Sequence, residues 1–231
     1  MSTFPRSFLV PLPLGGSKPS RYHRAVIIKP HVQATPGHEN RFTQRPETRL
    51  SASPTLHARL KAATQTAHAV VDAHYSRFDL ADARGYRDFL TAHAAIMPRC
   101  EAVLDASAVA GLLPDWEARR RTPALLADLA ALDCTIAPSA SPATPLATPE
   151  TWGMLYVLEG SRLGGAVLAK RVAANPDANC RAATRYLRHG HGDRLWPTFL
   201  LAFDATAATS AQFQRVIDGA LETFSLFTRA D

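Results

Sequence analysis

From Leu56 onward, apolar side chains recur at intervals of three and four residues, and no stretch alternates with the period of two that a half-buried strand requires. Leu56, Leu60, Ala63, Ala67, Val71 and His74 form one such stripe, and Ser53 followed by Pro54 predicts its N-cap and first turn. A second stripe from about Asp82 holds Tyr86, Phe89, Leu90, His93, Met97, Cys100 and Leu104, with a bend expected at Pro98, which has no N–H for the helical ladder. Asp115 to Leu132 predicts a third helix that restarts at Thr122 and Pro123. Residues 135–149 read as a low-complexity connector, and Thr148 with Pro149 opens a long helix to about Ala174, stopped by Asn175 and Pro176. Weaker helices follow near 178–189, 193–205 and 209–228. The expected fold is all-α: a single compact domain of six to eight helices over residues 55–231.

Residues 1–54 have a different texture. They hold eight of the 17 prolines at irregular spacing and no helical period, which predicts an irregular, disordered extension rather than part of the core. They also hold eight Lys and Arg against Glu39 and Glu47, so the whole formal charge of +6 lies there and residues 55–231 are neutral. That division removes the support for a nucleic-acid-binding face on the helical part, because phosphate attraction needs a local excess of positive charge. The extension lacks the charged start and long apolar run of a secretory signal, and it is read as an upstream extension rather than a targeting segment. Apolar runs stop well short of the roughly 18 residues needed to cross a bilayer, so no membrane span is expected. Cys100, Cys134 and Cys180 are an odd number without CxxC spacing, which excludes a disulfide scaffold and predicts free thiols in a reducing, cytoplasmic setting.

Two segments carry candidate chemistry. In LKAATQTAH, Leu60 to His68, a rotation of about 100° per residue places Lys61, Thr64 and His68 along one strip beside the apolar stripe, with Lys61 and His68 roughly 10 Å apart. A histidine at such a border either packs or ligates; on spacing alone His57, His74 and His93 have equal claims. In YVLEGSRLGGAVLAK, Tyr156 to Lys170, three glycines, Gly160, Gly164 and Gly165, interrupt a good helix, each at a cost of about 1 kcal/mol relative to alanine. Close packing of another helix against Gly160 and Gly164 explains them, and so does a large flat ligand lying on bare backbone. Arg162 is expected to be solvated.

Taken together and in this order, LKAATQTAH and YVLEGSRLGG some 90 residues later resemble the haem oxygenase family, in particular its bacterial biliverdin-producing branch; PDWEARRRTPALLADL, Pro114 to Leu129, is similar to the segment between them. The resemblance spans about residues 55–228. It implies a haem oxygenase-like helical domain in which His68 is the proximal ligand of haem iron and Lys61 pairs with a haem propionate beside Thr64. It implies further that Gly160, Ser161, Gly164 and Gly165 form the distal helix over the oxygen site. Animal members carry an Asp where Ser161 stands, so here a hydroxyl, backbone groups and water replace a carboxylate.

The implied reaction is oxidation of haem, both substrate and cofactor, to biliverdin, CO and iron, with O₂ and electrons from an external reductase or ferredoxin. Such a role suits the residue types. Neutral imidazole donates to iron less strongly than thiolate, and glycines present no acid–base pair to split bound oxygen. Biliverdin then feeds a phytochrome or follows from iron acquisition. A haem-binding carrier or sensor on the same scaffold is the alternative, and a cofactor-free interaction domain the third.

Overall fold

The computed structural model describes residues 54–136, 143–206 and 208–229. The extension expected over 1–54, the proposed Ser53 cap and part of the connector lie outside the described residues, apart from Pro54. Among the described residues there are nine α-helices, one 3-10 turn at Val109–Gly111 and no strand, so the all-α expectation holds.

Helix α1 spans Leu56–Tyr75 and α2 Ala83–Ala106. Thr55 rather than Ser53 caps α1: its side chain accepts from the Ala58 N–H at 3.1 Å. Asp82 caps α2 by accepting from the Gly85 N–H at 2.8 Å, and α2 remains one helix through Pro98. The third expected helix breaks at the expected restart, giving α3 at Trp116–Arg119 and α4 at Thr122–Ala131 with Pro123 in its first turn. Glu101 of α2 divides them by accepting from the Arg121 N–H at 2.6 Å and the Thr122 N–H at 3.2 Å, which caps α4 from another element.

The long helix α5 covers Thr148–Val172 with Pro149 in its first turn, and Thr151 to Glu159 are all buried. After Asn175 come α6 (Ala178–Ala182) and α7 (Arg185–Arg188), where the pattern predicted one helix. Two side chains break it. The Tyr86 hydroxyl of α2 donates to the Ala183 carbonyl, and Asp128 of α4 accepts from the Tyr186 N–H at 2.8 Å. A loop with Gly190 and Gly192 at φ of 71° and 95° turns into α8 (Leu195–Asp204), and α9 (Ser210–Arg229) closes the fold.

The core forms where α9 packs against α5 and α1, with α2 on α4 and α7 bridging α4 and α5. At the α5–α9 crossing a Cβ on Gly219 would stand 2.6 Å from the Glu150 carbonyl oxygen. Glycine there lets two backbones approach, which is why α9 can join the two helices that carry the candidate chemistry.

Candidate functional site

His57, Lys61, Thr64 and His68 share one face of α1, where His57 meets α5 and α8, Thr64 meets α5 and His68 meets α9. The His68 ring lies edge-on to Phe224 of α9, 5.6 Å between centroids. Its Nδ1 stands 3.2 Å from Oδ2 of Asp72, one turn on, and the side chain keeps 39% of its exposure. That Asp72 oxygen is enclosed and accepts no hydrogen bond, so its contact with His68 is one of proximity and charge. A carboxylate beside Nδ1 favours the tautomer protonated there, which leaves the Nε2 lone pair free.

Thr64 is buried; its hydroxyl donates to the Leu60 carbonyl at 2.9 Å and meets the Tyr156 hydroxyl of α5. Burial raises the Tyr156 pKa, and Thr64 works against that rise. Lys61 is half-buried and pairs with no carboxylate among the described residues. His57 anchors the start of α1 through its backbone N–H, which donates to Asp204 Oδ1 at 3.0 Å. Its ring sits between Tyr156 and Trp196, and its Nε2 is enclosed without a hydrogen-bond partner. Burial lowers the His57 pKa; Asp204 opposes that shift and Lys61 adds to it.

The other histidines with an equal claim from spacing sit differently. His93 packs among Tyr75, Phe89, Tyr186 and Phe227, its Nδ1 is 3.0 Å from the Phe89 carbonyl, and burial lowers its pKa to about 4. His74 lies edge-on to Tyr75.

The three glycines of α5 have three different surroundings. A Cβ on Gly165 would collide with the Leu187 carbonyl of α7, so that glycine permits a close backbone crossing. At Gly160 it would meet the Trp196 ring at an ordinary 3.6 Å. At Gly164 it would meet nothing within 4 Å, so the Gly160–Gly164 face is not a helix-packing seam. Ser161 is exposed, yet its hydroxyl is committed: it donates to the Leu158 carbonyl at 2.8 Å and accepts from Arg121 Nη2 at 2.8 Å.

Arg162 departs from expectation. Its side chain is 8% exposed rather than solvated, because Glu159, fully buried, holds it at 2.8 Å. Glu159 also holds Arg119 at 2.6 Å, and Arg119 in turn holds Asp115. Beside this network lies a cavity of about 40 Å³ lined by residues including His93, Arg121, Ser161, Arg162, Tyr186 and His189. The His189 pKa is lowered by burial and then by Arg162 and Arg121.

Lys61, Thr64 and His68 are thus on one face of α1, tied to α5 through Thr64 and Tyr156; Gly160 lies against Trp196, which His57 also meets, Ser161 is held by Arg121, and Gly165 serves the α7 contact. Asp72, Trp196, Phe224 and Arg121 escaped the sequence reading. Asp72 had a legible signal, its four-residue spacing from His68; Trp196 and Phe224 come from helices whose register only packing sets.

A family model described as heme oxygenase matches residues 54–230. A curated relative, a heme oxygenase of Xanthomonas campestris pv. campestris (strain 8004), is 30% identical over 150 residues, 63% of this chain and 88% of the relative. The crystal structure of the NO- and CO-bound heme oxygenase from Neisseria meningitidis matches with a TM-score of 0.64 at 23% identity, covering 76% of this chain and 89% of that one, a likeness of fold.

Proposed function

The chain belongs to the heme oxygenase family, and from that premise we propose that it cleaves haem to biliverdin, CO and iron, using O₂ and electrons from an external reductase or ferredoxin. The observation that carries the reading is the pairing of His68 with Asp72 on α1 while Gly164 on α5 faces open space.

The residues present fit a haem. The enclosed, unpartnered Nε2 of His57 and the unpaired Lys61 are two groups that a carboxylate such as a propionate would satisfy. Haem, when bound, supplies the iron that activates O₂ and the porphyrin that is oxidised. His68 would hold the iron through Nε2, with Asp72 beside Nδ1 favouring the tautomer that leaves Nε2 free. Lys61 orients the molecule by charge, with Thr64 tying α1 to Tyr156 behind it. Gly164 leaves α5 without a side chain where the ligand lies, and Ser161 brings a fixed hydroxyl to the same turn. Delivery of biliverdin to a phytochrome is one fate for the product. A cytoplasmic setting is part of this proposal and rests on the odd number of cysteines without CxxC spacing.

Hemin titration followed by absorbance, and then ascorbate in air, tests the reading. The expected outcome is stoichiometric binding and then loss of the haem bands as biliverdin appears by chromatography. His68→Ala should lose the histidine-ligated spectrum, whereas His57→Ala, His74→Ala and His93→Ala keep it. Binding without consumption would mark a carrier or sensor, and no binding a cofactor-free domain.

A further inference from the structure

Three consecutive arginines, Arg119, Arg120 and Arg121, link α3 to α4, and their side chains leave in three directions. Arg119 is paired with Asp115 and Glu159. Arg120 lies within 3.8 Å of Glu101, 3.5 Å of Asp105 and 3.5 Å of Glu117. Arg121 has no carboxylate on its guanidinium, although the residue is only 5% exposed. Its Nη2 donates to the Leu158 carbonyl at 2.9 Å and to Ser161 Oγ at 2.8 Å, and the guanidinium carbon lies 5.3 Å from the centroid of the Tyr186 ring. No described residue accepts from its Nε or Nη1. The carboxylate nearest in sequence contact, Glu101, holds the Arg121 backbone N–H instead, at 2.6 Å.

A cation buried without a counter-ion is retained against a desolvation penalty, which asks for a reason. The cavity of about 40 Å³ supplies one. It has room for one or two waters, and every other charged or titratable group facing it is neutral or already matched. His93 and His189 have lowered pKa values, Tyr186 a raised one, and Arg162 is balanced by Glu159. Arg121 is therefore the uncompensated charge of this cavity among the described residues. Ser161 joins the cavity to the open face: three residues before Gly164, it stands about 60° from it around α5.

We propose that Arg121 is a positioning residue for the reaction, acting through Ser161: it fixes the serine hydroxyl and sets a positive potential, with donors for cavity water, beside the face of α5 left open at Gly164. This rests on the haem reading above. The Ser161 hydroxyl directs its proton to Leu158, so the donors offered to the open face come from Arg121 and the water it holds. Such preorganised donors favour negative charge developing on bound oxygen.

The test is the C–O stretching frequency of the ferrous, CO-bound haem complex, which falls as positive potential near the oxygen grows. Arg121→Gln removes the charge, Arg121→Lys keeps it on a single nitrogen but lacks the Nε and Nη1 donors, and Ser161→Asp neutralises it while leaving Arg121 anchored. Arg121→Gln and Ser161→Asp should both move the stretch to higher frequency, and Arg121→Lys should move it less. Biliverdin formation should fall about tenfold in Arg121→Gln and recover in part in Arg121→Lys. If Arg121→Gln fails to fold, Ser161→Asp and Arg121→Lys still decide the matter. An unshifted stretch in folded Ser161→Asp would overturn the proposal while the haem reading stands. If the unaltered protein takes up no hemin, the haem reading fails and this proposal with it.

Discussion

A guanidinium and a carboxylate taken out of water together hold only while both remain, and Glu159 carries two such partners, Arg119 and Arg162. Glu159→Gln is therefore expected to destabilise the protein by about 3 kcal/mol, measured by urea unfolding, since it leaves Arg162 without its carboxylate. His93 gives a pH dependence with a definite sign. Its folded pKa of about 4 lies below the unfolded 6.5, so the unfolded chain binds the extra proton between those values. Stability should fall by about 2 kcal/mol from pH 7 to pH 5, and His93→Gln should remove that part of the slope. The glycines divide in the same residue-by-residue way. Gly165→Ala forces a methyl onto the Leu187 carbonyl and should lower the melting temperature of the haem-free protein. Gly164→Ala meets nothing, so helix propensity should raise haem-free stability by up to about 1 kcal/mol. In that variant, on the proposed haem reading, hemin should still bind and biliverdin formation should fall, because the new methyl would project into the haem site.

At the scale of elements, helices that carry their own signals were legible. The stripes of α1, α2, α5 and α9 are long, and Asp82 and Pro149 mark two of their starts locally. The restart expected at Thr122 and Pro123 is where α4 begins, with Glu101 supplying its cap; the pattern merged α6 and α7, and there the break comes from distant side chains, Asp128 and Tyr86. No local pattern announces a cap supplied by another helix. The site was legible to the same extent. The glycine-rich turn stands out in sequence and His68 only through the family resemblance, whereas the burial of Arg162 depends on Glu159 having no exit to solvent. Asp128→Ala is expected to cost about 1–2 kcal/mol and to leave α2 and α5 intact, which hydrogen exchange at Tyr186 against the α5 amides would show.

Across the whole molecule, charge and core are separated along the chain, with the net charge of +6 in residues 1–54 and a neutral remainder. The family match begins at residue 54. We therefore expect deletion of residues 1–50 to leave both the melting temperature and hemin affinity unchanged; a loss of several degrees would show that the segment contributes to the folded unit. The helical part brings α1 and α5 together through α9, and the proposed chemistry needs both: an imidazole from one and a bare, polar-edged turn from the other. The most direct measurement is a single turnover of the hemin complex with ascorbate in air, run side by side on the unaltered protein and His68→Ala, with biliverdin and CO quantified. Both products are expected from the unaltered protein and neither from His68→Ala; biliverdin from the variant at the unaltered rate, or none from the unaltered protein after hemin has bound, would contradict the assignment of His68 and of haem cleavage.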